Sequence, residues 1–225
     1  MGLPSLTRVL DRALDVALPA RCAGCGREGD AICRSCAPAL DARLALPPGV
    51  MIGLPADLPA PLVQLEWCAP YTGTVRRALH ELKYSGEQRL AGPLGAAIAR
   101  RWTRAGAGGD VIVPVPVHGD RLRHRGYDQA LLLANVAARD LQLPVVSLLQ
   151  RGRATTAQFD LDRAARATNM QGAFGLRPSA PIVAGRWVVL IDDVVTTGAT
   201  LAACAVPLMA AGALAVSAIT VARER

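Results

Sequence analysis

Hydrophobic positions along the chain change their period from segment to segment, and those changes mark out its elements. From Gly73 to Tyr84, Val75, Leu79 and Leu82 recur at helical spacing while Arg76, Arg77, His80, Glu81 and Lys83 fall off that face, which predicts an amphipathic helix. A second helix over 87–104 follows. Asp110 to Val117 reads as a strand, and Pro114 and Pro116 suit a strand emptying into a loop rather than a central ladder. Ala130, Leu133, Ala134 and Ala137 return to the helical period. Trp187 to Ile191 is an unbroken apolar run of the buried-strand type, followed by a tight loop over 194–199, a helix from 200 to 211 and a strand from 214 to 221. Strands alternating with helices predict an α/β fold: a parallel sheet of about five strands, helices on both faces, right-handed crossovers.

Residues 45–61 break this order, since they hold five prolines and no regular period. The expected organisation is an N-terminal helix and cysteine module over 1–46, a Pro-rich linker over 47–62, and the α/β domain over 63–225. Residues 194–222 carry no charged side chain and are long enough for a membrane span. Thr196-Thr197-Gly198, Pro207 and Gly212 divide that run into pieces too short to cross lipid. Asp11 and Asp15 interrupt the apolar positions of residues 3–18, so no signal peptide is read there, and a cytoplasmic location is expected.

Of the 225 residues, 52% are hydrophobic but only 4% aromatic, which predicts a core of Ala, Val and Leu. The net charge is +7, carried by arginine with Lys83 as the single lysine. Arginine forks bind phosphate in a bidentate way, so polyanionic partners fit this balance, as does a compositional exchange of lysine for arginine.

The most informative chemistry follows the strand at 187. Asp192 and Asp193 come directly after the apolar run, and Thr196, Thr197, Gly198, Ala199 and Thr200 form a hydroxyl-rich turn into a helix. Amides at a helix N-terminus hold an anion, and carboxylates accept from a sugar diol. This is a phosphosugar-binding pattern; a strand ending in a solvated acidic turn is the plainer reading. A nucleotide-hydrolase site would need G-x-x-x-x-G-K-[ST], but Lys83 follows Glu81-Leu82 and not glycine. No G-x-G-x-x-G follows a strand either.

Cys22, Cys25, Cys33 and Cys36 form two C-x2-C knuckles separated by seven residues, the donor set of a tetrahedral zinc site closed by four thiolates. Such a site has no open position, so its role is structural; a redox dithiol is the alternative. Cys68 and Cys204 sit among apolar residues and read as packing. Arg21, Arg27 and Arg34 around the knuckles suit nucleic acid, a partner protein or solvent alike. Arg121, Arg123, His124 and Arg125 crowd the residues before Gly126, either an anion trap or a solvated basic turn. Residues 151–171 are polar and poorly periodic, which fits a mobile loop or an ordinary surface insertion.

Val188-Val189-Leu190-Ile191-Asp192-Asp193-Val194-Val195-Thr196-Thr197-Gly198-Ala199-Thr200 resembles the phosphoribosyl pyrophosphate motif of type I phosphoribosyltransferases. Leu82-Lys83-Tyr84-Ser85-Gly86, Pro114-Val115-Pro116-Val117 and Arg123-His124-Arg125-Gly126-Tyr127-Asp128-Gln129-Ala130, with the N-terminal cysteines, narrow the resemblance to the ComF family. That resemblance implies a type I phosphoribosyltransferase-like sheet, phosphoribosyl pyrophosphate bound with Mg2+, and a part in natural transformation. It implies pyrophosphate contacts from 117–129, above all Arg123 and Arg125, and a closing loop with Gln158, Leu161, Arg166 and Asn169. The chemistry implied is displacement of pyrophosphate by an acceptor the sequence does not encode. The competing expectation is an adaptor that grips single-stranded DNA or docks competence and DNA-processing proteins. Asp128 stands where the family usually has Asn, an extra carboxylate that would repel pyrophosphate unless turned away or serving a metal.

Overall fold

The structure, a computed structural model, describes residues 19–47, 58–105, 108–152, 173–178 and 183–224. Its centre is a four-stranded parallel sheet in the order β3-β8-β7-β4, where β3 is Gln64–Pro70, β4 Val111–Pro114, β7 Trp187–Val195 and β8 Ala215–Arg223. Against the about five strands expected from the sequence, four form the sheet among the described residues, and Val145 adds one isolated parallel bridge to Ile112. Pro144 accepts from Ile112 N at 2.8 Å but has no N–H to extend the ladder.

Strand β7 is longer than its apolar run predicts. Val188 to Ile191 are fully buried, and the strand continues through both aspartates to Val195 because β8 keeps pairing with it, Asp192 opposite Thr220 and Val195 opposite Arg223. One face of the sheet is covered by helices α1 (Gly73–Tyr84), α2 (Ala91–Ala105) and α4 (Gln129–Leu141), which share a core with Ile112, Val189, Ile191 and Ile219. The other face is covered by α5 (Ala199–Ala210), where Leu201, Cys204 and Leu208 meet Val188, Leu190 and Ala218. The parallel sheet with helices on both faces is the fold expected from the sequence. Two short antiparallel strands, β5 (Leu149–Arg151) and β6 (Phe174–Leu176), stand apart from it.

The N-terminal module begins with the antiparallel pair β1 (Ala20–Arg21) and β2 (Glu28–Gly29) and ends in a 3-10 turn, Ala37–Asp41. Ala20, Ala23, Ile32 and Leu40 belong to the same core cluster as α1 and α2, so the module is seated on the sheet domain. Arg100 clasps Asp41 through 2.9 and 3.0 Å contacts to its two oxygens. Deeper in, fully buried Arg101 donates to Glu66 at 2.6 Å and to the carbonyls of Arg43 and Leu46 at 2.8 Å each. Deleting one partner of such a buried pair costs about 3–5 kcal/mol, so this contact anchors the module to β3 through α2.

Candidate functional site

The carboxyl ends of β4 and β7 lie side by side, which is where ligands of open parallel sheets bind. Successive strand residues point to opposite faces. Asp193 is buried on the α1 and α4 side, where its Oδ1 lies 2.9 Å from Lys83 Nζ and its Oδ2 accepts from Gln129 Nε2 at 3.0 Å. Gln129 in turn accepts from Arg125 Nη1. Asp192 is half-buried on the α5 side and accepts from the Asp193 amide at 2.8 Å. Burial, reinforced by the charge of Asp193, pushes the Asp192 carboxyl well above the ordinary carboxylate range.

After Val195 the chain turns through exposed Thr196 and Thr197 to buried Gly198, whose φ of 82° is left-handed. A Cβ there would lie 2.9 Å from Pro59 Cγ, so both the backbone conformation and the close approach call for glycine. Gly198 caps α5, and the first-turn amides of a helix have no intrahelical acceptor. Ala199 N is met by Thr197 Oγ1 at 3.4 Å and Ala202 N by Gly198 O at 2.9 Å; among the described residues nothing accepts from Thr200 N. A helix start whose Thr200 amide has no acceptor among the described residues thus sits beside the two acids.

The segment after β4 is helical where the sequence predicts a loop. Helix α3, Gly119–Arg125, is capped by His118 Nδ1 accepting from Asp120 N at 3.3 Å and ends on left-handed Gly126. It buries no residue, so no hydrophobic period marks it. Arg123 is exposed on it and paired with Asp120. Arg125, half-buried, bonds Gln129 and stands 5.6 Å over the Tyr84 ring. Tyr127 donates to Leu82 O, tying the loop to the end of α1. Asp128 spends its carboxylate on backbone amides, Oδ1 capping α4 by accepting from Leu131 N at 3.1 Å and Oδ2 accepting from Val117 N at 3.4 Å, yet its charge still adds to those that raise the Asp192 carboxyl.

The four sulfurs of Cys22, Cys25, Cys33 and Cys36 all lie within 4.8 Å of one another, Cys25 and Cys33 at 3.6 Å. Zinc at roughly 2.3 Å from each thiolate separates tetrahedral sulfurs by about 3.8 Å, so the group fits. Cys22 Sγ accepts from Cys33 N at 3.3 Å and Gly24 N at 3.4 Å. Burial alone would raise the Cys22 thiol, but the amides of Cys33, Cys25 and Gly24 outweigh it and bring the thiol down to about 6. A Cβ on Gly24 would lie 2.4 Å from Cys36 Sγ. Arg77 of α1 closes the knuckle from outside, donating to Ala23 O at 2.7 Å and Gly24 O at 2.6 Å. Cys68 and Cys204 are buried in the core, where desolvation raises both thiols.

Comparison with known proteins decides the family. The chain is 36% identical over 165 residues to the DNA utilization protein YhgH of Escherichia coli K12, covering 70% of this chain and 71% of that one. It is 34% identical over 203 residues to YhgH of Salmonella typhi, covering 82% and 87%. Competence protein F of Haemophilus influenzae is 39% identical over 93 residues, 41% of each chain. This chain belongs to the ComF family. No family model matches it. Among solved structures, it is similar to the glutamine phosphoribosylpyrophosphate amidotransferase of B. subtilis, with TM-score 0.43 and 19% identity over 63% of this chain and 30% of that one. Adenine phosphoribosyltransferase from Leishmania tarentolae follows at TM-score 0.38 and 19% identity, over 60% and 57%.

In this ComF-family chain the structure gathers most of the residues singled out from the sequence. Asp192, Asp193 and Thr196 to Thr200 share the end of β7, and the four cysteines form one cluster. Arg125 joins the strand-end group through Gln129, while Arg123 stays out on α3 with Asp120. Gln158, Leu161, Arg166 and Asn169 lie outside the described residues. Three participants had no assigned role: Lys83, Gln129 and Arg77. Lys83 had a signal, being the one lysine of an arginine-dominated chain. Among the described residues no helix is long and apolar enough to cross a membrane.

Proposed function

We propose that this chain binds phosphoribosyl pyrophosphate with Mg2+ at the carboxyl ends of β4 and β7, as a cytoplasmic phosphoribosyltransferase-like protein acting in DNA uptake. The observation that carries the reading is the β7–α5 turn: two consecutive acids, then a left-handed glycine that opens a helix start whose Thr200 amide has no acceptor among the described residues. In this reading the 5-phosphate takes the amides of Thr196, Thr197, Gly198, Ala199 and Thr200, which combine hydrogen-bond donors with the positive end of α5. Asp192 faces the ribose, and Asp193 holds Lys83 and Gln129 beside it. Arg125, and more peripherally Arg123, face the pyrophosphate, and the segment with Gln158, Arg166 and Asn169 closes over the ligand.

Asp192 fits a role toward Mg2+ or a ribose hydroxyl, because a half-buried carboxyl held above its ordinary range gains from a cation or donor. Mg2+, when bound, neutralises oxygens of the pyrophosphate and ribose. The acids stabilise positive charge growing on the ribose as the bond to pyrophosphate breaks, the cationic side chains neutralise the leaving group, and an acceptor supplies the nucleophile. Zinc on the four cysteines is structural, since the site is closed. The relatives' names, DNA utilization protein and competence protein F, support the DNA-uptake side.

A second reading, an adaptor gripping single-stranded DNA, draws on α3, which buries no residue and carries Arg121, Arg123 and His124 into solvent. Calorimetric titration of the zinc-loaded chain with phosphoribosyl pyrophosphate and Mg2+ separates the two. The wild type should bind, and an Asp192→Ala, Asp193→Ala double variant should lose roughly 100-fold or more, the worth of two charge-assisted hydrogen bonds. A wild type that does not bind sinks the ligand, and salt-sensitive binding of single-stranded DNA would then establish the adaptor.

A further inference from the structure

Lys83 sits at the centre of the strand-end group and no motif chemistry accounts for it. Its Nζ lies 2.9 Å from Asp193 Oδ1, with side chains 18% and 8% exposed. Asp193 is otherwise engaged by Gln129, and Gln129 by Arg125. All four groups lie on the α1 and α4 side of β7, toward the segment that follows β4. Asp192, on the α5 side, has no cation at hydrogen-bond distance among the described residues. The two adjacent acids therefore differ in kind: Asp193 is held in a charge-compensated network, and Asp192 is left for the ligand.

What Asp193 holds is the informative part. An ammonium has three donors, and among the described residues Lys83 Nζ has one ion-pair partner, Asp193 Oδ1 at 2.9 Å. An arginine at this position would present a planar fork that a carboxylate takes up bidentately. A lysine tethered by one oxygen keeps two N–H groups for something else. In a chain that otherwise carries arginine at every permanent cation, the single lysine stands where that difference matters.

We propose that Lys83 is a ligand-binding residue of the strand-end site: Asp193 fixes its ammonium so that the remaining donors meet oxygens of the ligand's pyrophosphate. This deepens the phosphosugar reading and rests on it. It assigns Asp193 to holding the cation, Asp192 to the ribose side, and gives the pyrophosphate a partly buried cation that exposed Arg123, spent on Asp120, does not supply.

The test is calorimetric titration of the zinc-loaded full chain with Mg2+ and each of three probes: phosphoribosyl pyrophosphate, inorganic pyrophosphate and ribose 5-phosphate. Lys83→Gln should weaken the first two by about tenfold or more, the size of one charge-assisted hydrogen bond, and leave ribose 5-phosphate within about twofold. Lys83→Arg should stay weaker than wild type for pyrophosphate despite its charge. Because Lys83→Gln strands a buried carboxylate, Lys83→Gln with Asp193→Asn serves as the folding-safe companion: it keeps a hydrogen-bonded pair without the cation and should show the same selective loss. Equal weakening of all three probes would reduce Lys83 to a structural role, and unchanged pyrophosphate binding in either glutamine variant would overturn the proposal. A wild type that binds none of the probes would instead remove the phosphosugar reading, and this inference with it.

Discussion

Cys22 and Cys33 meet across 11 residues of sequence, whereas Gln129 and Asp193 meet across 64. The cysteine cluster is local: one hairpin and one 3-10 turn bring its sulfurs together, and backbone amides of the same segment polarise Cys22. The strand-end group is assembled: α1 delivers Lys83, the end of α3 delivers Arg125, α4 delivers Gln129 and β7 delivers the acids. A local cluster can be closed by one ion, while an assembled one depends on every packed element beneath it. Helix α1 belongs to both, since Arg77 closes the knuckle and Lys83, later in the same helix, meets Asp193.

The largest effect should come from opening the knuckle. Chelation of zinc, or Cys33→Ser, removes the closing ion from a module whose own core is small, and Tm should fall by roughly 10 °C or more. A melting curve indifferent to chelation would show that contacts such as Arg77 with Ala23 and Gly24 hold the module without metal. Next in size is the β7–α5 turn. Gly198→Ala sets a side chain at φ 82° and drives its Cβ against Pro59, which should cost about 1–2 kcal/mol and weaken phosphosugar binding. An alanine variant as stable and as tightly binding as wild type would mean that the turn relaxes freely.

The same contrast explains what was legible in the sequence. Cysteine spacing encodes a knuckle directly, and a buried run, two acids and a glycine encode the β7–α5 turn, because both are made of neighbours in the chain. Lys83 reaches Asp193 only through the packing of α1 on the sheet, which no local period reports. Helix α3 was hidden for the opposite reason: having no buried residue, it has no apolar stripe to betray it, and its His118 and Gly126 caps are weak signals in a basic run. The apolar run stops short of the end of β7 because pairing with β8, and not hydrophobicity, carries the strand through Asp192 to Val195.

A smaller effect separates the two acids by pH. Burial and the charge of Asp193 hold the Asp192 carboxyl above its ordinary range, so its contribution to stability is full below the unfolded carboxylate pKa of about 4 and is lost as pH rises through the higher native value. Without ligand or Mg2+, Asp192→Asn should therefore melt above wild type at neutral pH, with the gap closing as pH falls below the ordinary carboxylate range. A gap that persists in acid would assign the gain to packing instead of charge. Asp193→Asn should not stabilise at neutral pH, because it breaks a pair with Lys83.

The smallest effect tests the boundary of the assembled site. Arg123 has a side chain 76% exposed and its partner Asp120 is 69% exposed, so solvent screens both the pair and any ligand contact. Arg123→Ala should change stability by less than about 0.5 kcal/mol and pyrophosphate affinity by no more than about threefold. Arg125→Ala should cost more, because it also releases Gln129 from the network that ends on Asp193. If the order were reversed, with Arg123 the larger loss, α3 would have to swing its exposed face onto the ligand, and the strand-end site would extend beyond the packed elements that build it.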